Sequence, residues 1–368
     1  MRLVATFKSE KNANKLFVLL ISKNIECNID RSNSSYDVWV KNEDQAAIAK
    51  EYYKSIAEMI DKTTVELEII PPPLKENFEN AKFNDDATPI RSISNNRVTR
   101  LFITACVFIF IIISYQYYDF VKNEKINAAM FPIYTSLQKK MLYDFPPTLE
   151  LMEKFNKNYK ISTEEEVANL PQGGKELLNE INNSMMWLGL YDLIVNYDNK
   201  TIKDVSLFSD IKKGEIWRSV TPIFLHANFL HIAFNMLWLW MLGKAMENNI
   251  GALRYIIFVI LTAVVTNTLQ YLMTGPLFMG FSGVIAAMGG YIWVRKKRAP
   301  WEIYLINQST LKFLGIFIFG MLSLTTVVFI LQIFHIVSFQ IPIANSAHVS
   351  GIFLGGALGY VKWFNSRI

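Results

Sequence analysis

Acidic residues are scarce in the C-terminal half of this 368-residue chain. No Asp or Glu occurs at positions 218–246 or 303–368, although the whole chain has 32 of them. Cysteine is also scarce, because Cys27 and Cys106 are the only two, which excludes a disulfide framework and a cysteine-based zinc site. The four histidines lie in the acid-poor half, and no acidic or cysteine residue is expected at the same depth in the membrane as these histidines. We therefore expect no metal site and no cofactor.

The composition indicates a soluble N-terminal part joined to a membrane-embedded C-terminal part. Hydrophobic residues make up 51% of the chain, and its mean hydropathy is +0.20, yet the N-terminal part is rich in charge. The start of the chain, MRLVATFKSEKN, has no signal-peptide core, so we expect the N-terminal part to stay in the cytoplasm. The net charge is +5, but the basic residues do not form a nucleic-acid-binding surface. The basic cluster 295–298 directly follows an apolar segment and so indicates membrane topology.

Residues 1–70 predict a small α/β accessory domain with the order β-α-β-β-α. The short strands are rich in β-formers, and the helices have apolar residues at helical spacing. A further strand is expected at 65–70, and the proline-rich polar stretch 71–97 is interpreted as a linker. The predicted strands are 2–7, 26–30 and 36–40, and the predicted helices are 9–24 and 45–61.

Residues 98–368 predict an all-α polytopic membrane bundle of six helices. Positive charge lies at the ends that would face the cytoplasm, which predicts that both chain termini are cytoplasmic. A long extracytoplasmic loop, 119–216, would follow the first span; it contains a capping box at Ser162-x-x-Glu165 and two aromatic stretches, 187–193 and 216–220, suited to the membrane interface. The expected spans are 101–118, 223–242, 253–273, 282–294, 311–337 and 347–363.

Three polar residues on different spans are predicted to share one depth in the membrane. His231, Ser282 and His348 each lie 13 or 14 residues before a basic residue at the inner end of the span. That spacing is about 20 Å of helix, within a hydrocarbon layer of about 30 Å. A glycine-flanked serine alone is better explained as a helix cap, but a shared depth for three polar groups favours chemistry.

The chemistry that these residues favour is nucleophilic catalysis. Histidine is the usual base that activates a serine hydroxyl, which makes His348 the base for Ser282. Because carboxylates are missing at this depth, we expect a Ser-His pair without a third member. His231, Asn235 and the backbone N–H of Ser282 could stabilise an oxyanion. Small residues would let the helices touch, at Gly283, Ala286, Ala287, Gly290, Gly351, Gly355 and Gly359.

The motifs together resemble the rhomboid intramembrane serine proteases, in particular the bacterial GlpG type. The resemblance covers about 101–368, and the α/β module resembles the cytoplasmic domain of that type more weakly. The motifs are Trp217-Arg218, HANFLHIAFN (226–235), Gly243-x-x-x-Glu247, GFSG (280–283) and AHVSGIFLG (347–355).

The resemblance implies a serine endopeptidase of the bacterial inner membrane that cuts transmembrane segments near their extracytoplasmic ends. Ser282 would be the nucleophile and His348 the base, with His231 and Asn235 in the oxyanion site. Its partners would be single-span or polytopic membrane proteins and the lipid bilayer, with no nucleic acid. Structural roles near the site would fall to His226, Gly280, Gly283, Gly351, Gly355, Arg218 and Glu247.

Two departures from the family pattern leave a second interpretation open. Ala286 stands where GlpG-type enzymes often have a tyrosine that packs on the histidine, and the segment 119–185 is longer than the family needs. A catalytically weak or inactive rhomboid-like protein that binds membrane clients is therefore the alternative. A transporter or channel is disfavoured, since the spans contain neither paired ionisable residues nor inverted repeats. His335 is expected at the interface, and Asn267 and Gln270 would bond either water or a neighbouring helix.

Overall fold

The N-terminal part is a three-stranded antiparallel sheet with two helices, in the order of elements that the sequence predicted. The strand order is β1-β3-β2, and α1 buries Ala13, Leu16 and Leu20 on one face against the sheet. The elements are β1 (Arg2–Phe7), α1 (Glu10–Ser22), β2 (Cys27–Ser32), β3 (Ser35–Val40) and α2 (Ala46–Ile60). The computed structural model describes residues 1–32, 35–60, 96–124, 131–159, 161, 164–184, 186–195, 207–302, 304, 306–337 and 343–365. The strand expected at 65–70 and most of the linker lie outside these residues.

The rest of the described chain is helical. Its elements are α3 (Arg97–Glu124), α4 (Ser136–Met141), α5 (Pro147–Asn158), α6 (Glu164–Ala168), α7 (Gln172–Asn183), α8 (Leu190–Val195), α9 (Ser209–Lys212), α10 (Phe229–Trp238), α11 (Lys244–Ile250), α12 (Ala252–Thr274), α13 (Ser282–Arg298), α14 (Gln308–Ile333) and α15 (Asn345–Leu358). A π-helical turn, Leu239–Gly243, joins α10 to α11. The first long helix extends six residues past its expected end at 118, while α14 and α15 stop before their expected ends at 337 and 363.

Four helices of the described chain are long and apolar enough to cross a membrane, where the sequence predicted six spans. They are Arg97–Asn123, Phe229–Ile250, Ala252–Thr274 and Gln308–Ile333. The other two expected spans correspond to α13 and α15, which have 17 and 14 residues. Both are shorter than the roughly 20 residues that a simple crossing requires.

Helix α13 is the centre of the helical part of the described chain, and α15 packs closely along it. Every residue of α13 from Gly283 to Ile292 is buried. A Cβ placed on Gly351 of α15 would overlap the carbonyl oxygen of Gly283, and one on Gly290 would overlap that of Ile352. The two backbones are thus in direct contact, which only residues without side chains allow.

A carboxylate from the second long helix holds the start of the first. Glu247 accepts hydrogen bonds from the backbone N–H of Val98 (3.1 Å) and from both the N–H (2.9 Å) and the hydroxyl (2.8 Å) of Thr99. These N–H groups lie in the first turn of α3, where helix donors have no partner within the helix. Glu247 therefore caps a helix that is distant in sequence, and the negative charge faces the positive end of its dipole.

A buried polar network attaches the long segment after α3 to the end of α12. Asp144 accepts hydrogen bonds from the N–H groups of Ser209 (3.1 Å) and Asp210 (3.2 Å) and from the Tyr271 hydroxyl (3.0 Å). Arg218 donates to the carbonyl oxygens of residues 139 (2.7 Å) and 142 (2.8 Å). The predicted capping box begins at Ser162, outside the described residues. Helices α5 and α7 share an apolar core of Phe155, Leu170, Leu177 and Ile181.

Candidate active site

The hydroxyl of Ser282 and the imidazole of His348 are in hydrogen-bonding contact. Ser282 is the first residue of α13 and His348 the fourth of α15, so the close packing of these helices brings their N-terminal ends together. The Ser282 Oγ atom lies 2.7 Å from His348 Nε2. In this arrangement a neutral imidazole accepts the serine proton at Nε2 and carries its own proton on Nδ1.

The second nitrogen of His348 is buried and has no hydrogen-bond partner within the described residues. Ala286, one turn after the serine, is also buried and supplies no ring against which the imidazole could stack. A third residue that orients the histidine, as in a triad, is thus not found in the part of the chain that the structure describes. The position of His348 depends on its contact with Ser282 and on the placement of α15.

His231 and Asn235 lie one turn apart on α10 and face the loop that leads to Ser282. Asn228 caps this helix by accepting the N–H of His231 (2.9 Å), and Asn235 donates from Nδ2 to the His231 carbonyl (2.8 Å). A Cβ on Gly280 would lie 2.8 Å from the His231 ring and 3.9 Å from Asn235 Nδ2. Gly280 also has a φ of +123°, so both the backbone and the clearance require glycine.

The hydrogen bonds of His231 indicate which of its ring nitrogens carries the proton. The N–H of Ala227 points to His231 Nδ1 at 3.4 Å, so that nitrogen acts as the acceptor. The proton of the neutral ring then resides on Nε2, which is the atom next to Gly280. The Nε2–H group is thereby available as a donor beside Gly280, which lies two residues before Ser282.

The remaining predicted residues lie outside this cluster. His226 is buried behind His231, with ring centres 5.2 Å apart, and its Nδ1 lies 3.3 Å from the Phe224 carbonyl oxygen. Arg218 helps to attach the long segment after α3, and Glu247 holds the start of α3, as described above. His335 is exposed just after α14.

Two amides of α12, for which the sequence predicted a bond to water or to a neighbouring helix, bond neighbouring segments. Gln270 accepts the N–H of Ala347 through Oε1 (2.9 Å), next to His348, and donates to the Thr274 hydroxyl (2.6 Å). Asn267 donates to the carbonyl oxygen of Ser219 (2.9 Å). A buried amide in an apolar helix was the only sequence signal for these contacts, and it does not identify the partner.

The C-terminal part of the chain matches a known family. Residues 213–364 match the family model described as Rhomboid domain. The chain is 35% identical over 161 residues to the proteins named Rhomboid protease GlpG from Salmonella paratyphi A, Salmonella newport and Salmonella typhi. The match covers 44% of this chain and 53% of each relative, so the chain spans about half the length of the curated relatives it matches.

Proposed function

We propose that this chain belongs to the rhomboid family, whose model residues 213–364 match, and that it is an intramembrane serine endopeptidase. The observation that carries the proposal is the 2.7 Å contact between Ser282 Oγ and His348 Nε2. The absence of Asp and Glu from positions 303–368 favours a two-residue mechanism.

In the proposed reaction, Ser282 Oγ attacks the carbonyl carbon of the scissile peptide bond while His348 Nε2 takes its proton. A C–O bond forms, and the carbonyl oxygen becomes a tetrahedral oxyanion. Collapse of this intermediate breaks the C–N bond, and His348 returns the proton to the leaving amine. Water then hydrolyses the acyl-serine ester, with His348 again as base, and releases the second product.

The oxyanion would be stabilised by donors that are already in place. His231 Nε2–H and the second hydrogen of Asn235 Nδ2 lie beside Gly280, and Ser282 adds the N-terminal end of α13. Preorganised donors of this kind lower the barrier because they need no reorientation as the negative charge develops.

We propose that α13 and α15 lie in the membrane with the four longer helices, as a six-helix bundle. The 17 residues of α13 span about 25 Å, less than a hydrocarbon core of about 30 Å. Its C-terminal turn carries the basic residues 295–298, which favours the cytoplasmic side for that end and for both chain termini. Ser282 would then lie below the outer surface, where water must reach it through a polar cavity.

The proposed substrates are transmembrane segments of other membrane proteins, cut near their extracytoplasmic ends. A substrate helix must unwind locally to expose a peptide bond to Ser282. Segments with Gly or Ser near that end should be cut faster, because these residues have lower helix propensity, and small side chains, including Ala, should enter the site more easily.

The test is cleavage of a single-span model substrate by the protein reconstituted in liposomes. Wild type should cut the substrate, and Ser282→Ala and His348→Ala should each abolish cutting. A fluorophosphonate should label wild type but not Ser282→Ala. Cleavage that survives both substitutions would disprove the Ser-His mechanism, whereas a folded wild type that neither cuts nor reacts with the label would favour a client-binding protein.

A further inference from the structure

The segment 186–195, between α7 and α9, lies before the 213–364 family match. It contacts the end of α12, which leads to the loop before Ser282, and the first turn of α15, which carries His348. It contains α8 and the extended residues before it. We propose that this segment, called the brace, positions Ser282 and His348 relative to each other. The proposal rests on the proposed function, and it assigns a role to part of the chain that the family match does not cover.

One end of the brace interlocks with the loop that precedes Ser282. The Trp187 indole donates to the Tyr271 carbonyl (2.8 Å) at the end of α12. A Cβ on Gly189, whose φ is +96°, would overlap the carbonyl of Met273. A Cβ on Gly275 would lie 2.5 Å from the Trp187 oxygen. Two chain segments here touch backbone to backbone, which fixes their separation more tightly than side-chain packing does.

The other end of the brace contacts the helix of the proposed base. The Tyr191 ring packs on Phe329 near the outer end of α14, with ring centres 5.1 Å apart. Its hydroxyl lies 3.3 Å from the Ser346 hydroxyl, two residues before His348. Because 3.3 Å is long for a hydrogen bond between hydroxyls, the ring packing is expected to contribute most.

The catalytic pair needs external support of this kind. His348 Nδ1 has no hydrogen-bond partner among the described residues. The position of the ring therefore depends on the position of the first turn of α15. The neighbouring α14 is the least buried long helix, with 17% of its most apolar stretch buried against 44% in α12. Loosely packed elements open at low free-energy cost, so a contact that ties α14 and α15 to α12 limits the movement of His348.

Gly189→Ala tests the interlock, and Gly214→Ala is its matched control. Both glycines have nearly the same positive φ, +96° and +98°, so both substitutions strain the backbone alike. A Cβ on Gly214 has nothing within 4 Å, whereas one on Gly189 must displace the Met273 backbone. We expect Gly189→Ala to lower kcat and the rate of fluorophosphonate labelling about tenfold or more, with KM nearly unchanged. Gly214→Ala should leave both rates close to wild type.

Tyr191 variants test the second contact without altering the backbone. Tyr191→Ala, which removes the ring from Phe329, should slow labelling of Ser282, and Tyr191→Phe, which keeps the ring, should restore most of the rate. Tyr159→Ala is the control, because Tyr159 packs on Phe155 of α5. All variants are compared at temperatures below their measured Tm, so that unfolding does not contribute.

The outcomes separate this proposal from the proposed function. A wild type without labelling or cleavage would remove the basis of both. An active wild type with Gly189→Ala equal to Gly214→Ala, and Tyr191→Ala equal to Tyr159→Ala, would overturn the brace alone. A rise in KM with kcat unchanged would also overturn it, because that result indicates a role in substrate binding rather than in placing the catalytic pair.

Discussion

Gly355 of α15 rests on the carbonyl group of Ala287 in α13 so closely that no side chain fits between them. A Cβ built on Gly355 would overlap both the oxygen and the carbon of that carbonyl. This contact lies two turns after His348 on the same face of α15, and it sets the distance between the helices that carry the proposed nucleophile and base.

Gly355→Ala is therefore expected to destabilise the protein and reduce its activity. The added methyl must push α15 away from α13, and overpacking of this kind costs about 1–3 kcal/mol. The adjacent Gly356→Ala is the control, because its Cβ would lie 3.6 Å from Val294, an ordinary contact. Thermal unfolding in one detergent should give a lower Tm for Gly355→Ala and an unchanged or higher Tm for Gly356→Ala. Equal Tm values would show that the contact is not a constraint.

Glu247→Gln is expected to lower stability through α3 rather than through the active site. The substitution removes the charge and one acceptor from the three hydrogen bonds to Val98 and Thr99, and hydrogen bonds to charged groups contribute about 1.5–3 kcal/mol each. Exposed Glu150→Gln on α5 is the control.

Unfolding of the two glutamate variants should be followed by circular dichroism, together with hydrogen exchange at residues 97–100. Glu247→Gln should lower Tm and speed exchange of these amides, while the kcat of the folded fraction stays near wild type. Unchanged exchange at the start of α3 would contradict a capping role.

Local sequence signals predicted the elements and the meeting of Ser282 with His348. The depth argument used only the spacing of each residue from a basic residue. The structure places the Ser282 and His348 side chains 2.7 Å apart, and their depth in a membrane stays a prediction. The order of the N-terminal strands and helices also followed from hydrophobic periodicity. These features depend on residues close together in sequence or on the spacing of a polar residue from a basic one.

Contacts between distant segments could not be predicted from the sequence. The hydrogen bond from the Ala347 N–H to Gln270 joins residues 77 positions apart, and the packing of Tyr191 on Phe329 joins residues 138 apart. No residue pattern specifies such pairings. The count of six spans treated α13 and α15 like the others, although their length alone does not establish a crossing. Helices α4–α7 have ordinary polar composition, so their attachment through Asp144 could not be predicted either.

Removal of either proposed oxyanion donor should lower kcat far more than it raises KM. His231→Ala and Asn235→Ala each remove an N–H group beside Gly280, and the loss of one such donor costs about 10²–10³ in kcat. His335→Ala is the control, since His335 is exposed beyond the end of α14. Cleavage kinetics in liposomes give the two constants. A rise in KM alone for both variants would assign these residues to substrate binding instead.

The attachment of the segment 131–183 is expected to weaken in acid because of Asp210. Burial favours the neutral carboxyl, but hydrogen bonds from Lys213 (3.0 Å) and the Phe145 N–H (2.9 Å), together with nearby Arg218, lower the pKa of Asp210 below its ordinary value. A carboxyl whose folded pKa is depressed stabilises the fold above its unfolded pKa, near 3.9, and loses that contribution as the pH falls through the folded pKa.

Limited proteolysis of residues 131–183 across pH 3–7 with an acid-tolerant protease measures this effect. Wild type should resist cleavage at pH 5–7 and become sensitive as the pH falls below about 4. Asp210→Asn should be sensitive already at pH 7 and depend less on pH, because its neutral amide cannot pair with Arg218 and Lys213. Asp119→Asn, at the exposed end of α3, should keep the wild-type profile. If Asp210→Asn also keeps the wild-type profile, the acid response does not come from Asp210, and the prediction is wrong.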